Sequence, residues 1–153
     1  MGERMNIGEL CNREVVFATD NMSLKEAAQL MRTKHVGSLV VVREAQIGRI
    51  VIGMLTDRDI AIVAMARDFD PQSLQVIDVM SSPPVTVCAS ESVNDVLGVM
   101  RQHGIRRIPV TTNEGVLIGI VTLDDLLEIV AEDMQGFVQA ITNAQKREAR
   151  VRG

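Results

Sequence analysis

Apolar residues along this 153-residue chain fall into a helical pattern and a strand pattern, and the pair comes round twice. After Ser23, the residues Leu24, Ala27, Ala28 and Met31 recur at helical spacing, with Glu26 three positions behind the serine. That is the signature of a capped amphipathic helix. After Ser92, the residues Val93, Val96, Leu97 and Met100 repeat it, with Asp95 in the place of Glu26. Downstream, Val36 to Val41 and Ile105 to Val110 are rich in β-branched residues and predict short strands. Second strands are predicted over Ile50 to Leu55 and Val116 to Val121. A short extended segment opens each set: Val15 to Ala18, and Val85 to Val87, entered through Pro83-Pro84.

Each set closes on one form, Gly-apolar-apolar-Thr-x-x-Asp, which ends a strand and opens a helix. The copies are Gly53-Met-Leu-Thr56-Asp57-Arg58-Asp59 and Gly119-Ile-Val-Thr122-Leu123-Asp124-Asp125. Ser23 and Ser92 are 69 positions apart, as are Met31 and Met100, whereas Gly53 and Gly119 are 66 apart. Copy one therefore holds three extra residues, placed in a surface turn around Glu44 to Arg49, where length changes are tolerated. Such internal repetition fixes architecture before any residue is given a role. The predicted fold class is α+β, with two β-α-β-β-α units over residues 7–70 and 76–132. Ile7 to Cys11 and Val76 to Met80 read as lead-in helices for copies one and two, and Asp68 to Ser73 as a turn-rich link. A unit this small cannot bury both faces of a three-stranded sheet alone. The two are expected to pack sheet to sheet about a pseudo-two-fold axis.

The last helix is predicted to run long, with residues 133–153 as a helical extension. Its apolar face runs through Leu126, Leu127, Val130, Met134, Phe137, Val138 and Ile141. Acids crowd its start (Asp124, Asp125, Glu128) and bases its end (Lys146, Arg147, Arg150, Arg152), which suits the helix dipole. The stripe outruns one unit's needs, so its distal part is expected on a partner subunit in a homodimer. The alternative is a helix folded back on its own domain.

Composition narrows function. Aromatic residues make up 2% of the chain, with no Trp or Tyr, so no stacking platform for single-stranded nucleic acid is available. The net charge of −4 argues against a phosphate-backbone footprint. Two cysteines make no disulfide framework and read as free thiols of a reducing compartment. Met1 to Leu10 lacks an apolar leader core, and no run approaches the ~20 apolar residues of a membrane span. A soluble, cytoplasmic protein is expected. His35 and His103 fall at non-equivalent places without neighbouring ligands at metal spacing, so no metal is assigned. Asp57 and Asp59 together are poor evidence for magnesium. No nucleophile is poised beside a base, so no catalytic residue is assigned.

The two corners carry the candidate chemistry. A Thr hydroxyl there can donate to a phosphate oxygen, and an Asp carboxylate one turn in can accept from both ribose hydroxyls. The same Thr-x-x-Asp is also close to a plain capping box. The repeated unit with its Gly-x-x-Thr-x-x-Asp resembles the cystathionine β-synthase (CBS) domain, and the pair resembles a stand-alone Bateman module. Supporting residues are Val36 to Val42 and Gly53 to Ile60 in copy one. In copy two they are Asp78 to Met80, Ile105 to Val110 and Gly119 to Leu126.

The resemblance implies a non-catalytic regulatory module. Its ligand would be an adenosine nucleotide (AMP, ADP or ATP), with S-adenosylmethionine or NADH as other options, held in clefts between the paired units. By the same resemblance, site one comprises Val16, Gly37, Ser38, Met54, Thr56 and Asp59, with Val16 and Met54 flanking the base. Site two comprises Val85, Ile105, Arg106, Ile120, Thr122 and Asp125, with Arg106 and Arg107 as phosphate contacts. The sites are unequal, because copy one has Gly37-Ser38 where copy two has Arg106-Arg107. The competing reading is a ligand-free assembly module whose corners are helix caps.

Overall fold

Both copies form the expected elements in the expected order. A computed structural model describes residues 6–152; the first five residues of the stretch read for a leader lie outside them. Copy one comprises α1 (Ile7–Leu10), β1 (Phe17–Thr19), α2 (Leu24–Lys34), β2 (Ser38–Ala45), β3 (Gly48–Thr56) and α3 (Asp57–Ala61). A π-helical turn over Ile62–Ala66 continues α3. Copy two comprises α4 (Val76–Val79), β4 (Val87–Cys88), α5 (Val93–His103), β5 (Arg107–Thr111), β6 (Leu117–Thr122) and α6 (Leu123–Arg152). By contact density the chain divides into two units, Met1–Val121 and Thr122–Gly153.

The serines do what their spacing predicts. Ser23 Oγ accepts from the Glu26 N–H at 3.1 Å, and Ser92 Oγ from the Asp95 N–H at 3.2 Å. Each such cap supplies an acceptor to an N–H that the helix itself cannot satisfy. Leu24, Ala27 and Met31 of α2 are buried, as are Val96 and Met100 of α5, whereas Ala28 of the expected stripe is exposed.

In the first unit two three-stranded sheets form, ordered β1-β2-β3 and β4-β5-β6. β1 runs parallel to β2 with Ala18 opposite Val41, and β4 parallel to β5 with Val87 opposite Val110. β2 buries four consecutive residues, Leu39 to Val42. A continuous buried run means that both faces of the strand are covered. Leu39 and Val41 join Leu55 and the buried face of α2. Val40 and Val42 join Val51 against Leu117 and Ile120 of the other sheet. That second cluster is the sheet-to-sheet core that the unit size requires.

The three extra residues of copy one do not make a surface turn. β2 and β3 continue in register to Ala45 opposite Gly48, through Arg43 with Ile50 and Glu44 with Arg49. The insertion is thus a longer hairpin, because backbone groups of an added ladder satisfy one another. A register shift between Val41 and Val42 bends it. Arg49 is held at its end by Glu44 at 3.3 Å and stands 4.3 Å from the Phe17 ring centroid.

The lead-in helices cross over between the copies. Ile7 and Gly8 of α1 donate to Glu91 O and Ala89 O in copy two, at 2.8 and 2.9 Å. Val76 and Ile77 of α4 donate to Met22 O and Asp20 O in copy one, at 2.8 and 3.0 Å. The partners are equivalent in every case, which is the pseudo-two-fold written in hydrogen bonds. Cys11, at the end of α1, is buried, and desolvation pushes its thiol pKa up, against the nearby Arg13 charge. Cys88 is half-buried. Since the thiolate is the reacting form, a maleimide should label Cys88 well before Cys11, as peptide mapping of a time course would show. Equal labelling rates would contradict the docking of α1.

Candidate functional site

The corner of copy one is built by the end of β3 and the start of α3. Thr56 Oγ1 accepts from the Asp59 N–H at 3.1 Å, and the Thr56 N–H donates to Asp59 Oδ2 at 3.0 Å. The box is reciprocal, so the cap foreseen as the alternative does form. It leaves the Thr56 hydroxyl proton and Asp59 Oδ1 for other partners. The Asp57 N–H donates to Gly37 O at 2.9 Å, tying the loop before β2 to the first turn of α3. In the ladder Ser38 lies opposite Thr56 and Val40 opposite Met54. Thr56, Asp59, Ser38 and Met54 are half-buried and Gly37 is exposed. A Cβ on Gly37 would stand 3.1 Å from Asp57 Oδ2. Gly37 thus gives that carboxylate its room.

The structure brings Gly37, Ser38, Met54, Thr56 and Asp59 together, but not Val16 with Met54. Val16 packs in the cluster of Leu39, Val41 and Leu55, whereas Met54 packs with Val40, Val42 and Val51. These are opposite faces of the first sheet, so the two side chains do not flank one slot. Val15 and Phe17, which alternate with Val16, share the face of Met54. Period-two alternation in Val15-Val16-Phe17 carried that signal; the register needed to read it did not come from the sequence.

The segment beside Met54 belongs to the other copy. Met54 and Ser81 exchange two backbone hydrogen bonds at 3.1 and 2.9 Å. Asn12 and Ile120 exchange the equivalent pair, both at 2.9 Å. Val85 follows Ser81 by four residues, and Val16 follows Asn12 by four. Each corner strand is therefore flanked by the other copy's entry segment. The motif glycines make that approach possible. A Cβ on Gly53 would come within 2.7 Å of Ser81 O, and one on Gly119 within 2.7 Å of Asn12 O.

Copy two differs in its chemistry. Val85, Ile105 and Ile120 are half-buried, and Arg106 and Arg107 are exposed at the start of β5. In the second unit, Thr122 Oγ1 accepts from the Asp125 N–H at 3.1 Å. Where copy one has Gly37 and Asp57, copy two has Arg106 and Leu123. Both corners carry two carboxylates, Asp57 and Asp59 in one and Asp124 and Asp125 in the other, but only copy two has paired arginines where its middle strand begins.

Elsewhere in the first unit, a recess of about 450 Å3 opens beside Arg13, Phe17, Arg49 and Leu117. None of the corner residues lines it. Among the described residues no group of three or more His, Cys, Asp or Glu stands together to hold a metal ion. No described helix is long and apolar enough to cross a membrane.

Comparison with known proteins agrees with the geometry. The CBS domain family matches residues 7–65 and again 76–132. Protein YlbB of Bacillus subtilis is 39% identical over 120 residues, covering 78% of this chain and 78% of that protein. The crystal structure of Hypoxic Response Protein I, which carries two coordinated zinc ions, superposes with a TM-score of 0.71 at 32% identity. It covers 80% of this chain and 97% of that one. The CBS domain pair of protein MJ0100, in complex with 5-methylthioadenosine and S-adenosyl-L-methionine, superposes at 0.70 with 23% identity. It covers 86% of this chain and 99% of that one. CBS pairs are in general regulatory and non-catalytic, and no catalytic family is indicated. The chain belongs to the CBS-domain family and carries the domain twice, as a tandem pair.

Proposed function

We propose that this pair is a regulatory sensor that takes an adenosine-type ligand at the corner of copy one and passes its state to a partner protein. The observation that carries the reading is the Thr56–Asp59 corner, with the copy-two entry segment bonded beside it at Met54. Asp59 Oδ1 would accept from a ribose hydroxyl, and the Thr56 hydroxyl would donate to a ribose or phosphate oxygen. Val85 then replaces Val16 as the apolar residue expected beside Met54. Arg106 and Arg107 would supply guanidiniums suited to phosphate. A protein of the same fold holds two adenosyl ligands, which makes that ligand class the first to try.

Thermal denaturation tests the residue roles. A ligand that binds only the folded state adds about 2.7 kcal/mol of stability at a hundred times its Kd. AMP, ATP or S-adenosylmethionine should therefore raise Tm in the wild type. Asp59→Ala should remove most of that rise, and Asp57→Ala less of it. Equal rises in both variants would count against Asp59 as the ribose contact.

The reciprocal box at Thr56 favours a second reading, a ligand-free assembly module, because Thr56 and Asp59 satisfy each other as an ordinary helix cap. Under that reading Asp59→Ala costs about 1 kcal/mol as a lost cap and changes no binding.

A further inference from the structure

We infer that α6 pairs with α6 of a second copy as an antiparallel two-stranded coiled coil. The helix is 30 residues long, and residues 131–152 are exposed throughout. Yet Met134, Phe137, Ile141 and Val151 are 62, 71, 59 and 80% exposed. Large apolar side chains set at regular intervals along a bare helix mark an interaction face rather than scatter. Their spacing is not that of a helix folded onto a globular core. Positions 127, 130, 134, 137, 141, 144, 148 and 151 alternate steps of three and four, and all but Glu148 are apolar. A strict three-four alternation is the seam of a left-handed coiled coil.

Charge selects both the occupant and its direction. Acids lie at the start of α6, at Asp125, Glu128 and Asp133, and bases at its end, at Lys146, Arg147 and Arg150. A parallel partner would set acidic end against acidic end and basic end against basic end, whereas an antiparallel copy sets each acidic end against a basic one. In the antiparallel register that faces Phe137 with Ile141 and Met134 with Ala144, Asp133 and Arg147 flank the seam on the same side. Each Asp133 then meets the Arg147 of the second copy, twice per dimer. In a parallel pair the position flanking Asp133 is Val138, and no such pairing exists. The pairing is independent of ligand binding at the Thr56–Asp59 corner, since no residue of that corner takes part in it.

Sedimentation equilibrium of the full chain tests it. The wild type should be a dimer, and Phe137→Asp should be a monomer with an unchanged thermal transition of the CBS pair. Arg147→Glu and Asp133→Arg should each weaken dimerisation about tenfold, since attraction becomes repulsion at two sites. The double variant D133R/R147E should restore it. Both substituted side chains are exposed, so folding is not at stake. A monomeric wild type, or a dimer that Phe137→Asp leaves intact, would overturn the pairing. Single reversals that weaken the dimer without rescue by the double variant would overturn the antiparallel direction.

Discussion

Gly119→Ala should destabilise the protein by about 3 kcal/mol, the upper end for overpacking a filled interior. The added Cβ would lie 2.6 Å from Cys11 Sγ, 2.7 Å from Asn12 O and 3.2 Å from Asn12 C. Two of those three neighbours are backbone, which cannot swing aside as a side-chain tip can. Moving them breaks the paired hydrogen bonds between Asn12 and Ile120. Gly53→Ala should behave alike, since Met80 Sδ and Ser81 O would each lie 2.7 Å from its Cβ. By contrast Gly98 and Gly136 have nothing within 4 Å, so alanine there should be neutral to stabilising. Urea midpoints for the four variants, at constant slope, read this directly. A cost at Gly119 below about 0.5 kcal/mol, the range of ordinary surface changes, would refute the close approach.

Ile7→Ala should cost about 3 kcal/mol, as expected for truncating a fully buried isoleucine. Ile7 is 0% exposed although it lies only two residues into the described chain. Its effect should be felt in the wrong copy. Because the Ile7 N–H bonds to Glu91 O, hydrogen exchange should quicken around residues 88–92, not around 19–23. Val76→Ala should do the converse. Loosening of copy one by Ile7→Ala would show that the lead-in helices do not cross.

The sequence made much of this legible because repetition supplies its own alignment. The serine caps, the buried stripes of α2 and α5 and the paired sheets all follow from local pattern. The crossing of α1 and α4 was hidden, since each lead-in helix has the same sequence whichever copy it serves. Expected strands Val15 to Ala18 and Val85 to Val87 shift to Phe17–Thr19 and Val87–Cys88. Their first residues precede the regular ladder, although Val16 O still accepts from the Val40 N–H at 3.4 Å, and propensity does not report pairing. That shift also explains Val16. Which of Val15, Val16 and Phe17 faces the other sheet depends on register, where one residue reverses every side chain. The three-residue insertion read as a loop because nothing in Glu44 to Arg49 reveals that its backbone groups pair. The Thr-x-x-Asp cap is legible in its spacing and forms at Thr56 and Asp59. The close approach of Gly37 to Asp57 emerges only from the fold.

The tandem pair should take an adenosine-type ligand at the Thr56–Asp59 corner. Titration calorimetry of protein shown by mass spectrometry to be ligand-free tests it most directly, with AMP, ADP, ATP, NADH and S-adenosylmethionine in turn. Saturable heat is expected for at least one of them, with Asp59→Ala weakening that affinity more than Asp57→Ala. No heat from any of the five would contradict it and leave Thr56 and Asp59 as the helix cap that their hydrogen bonds already form.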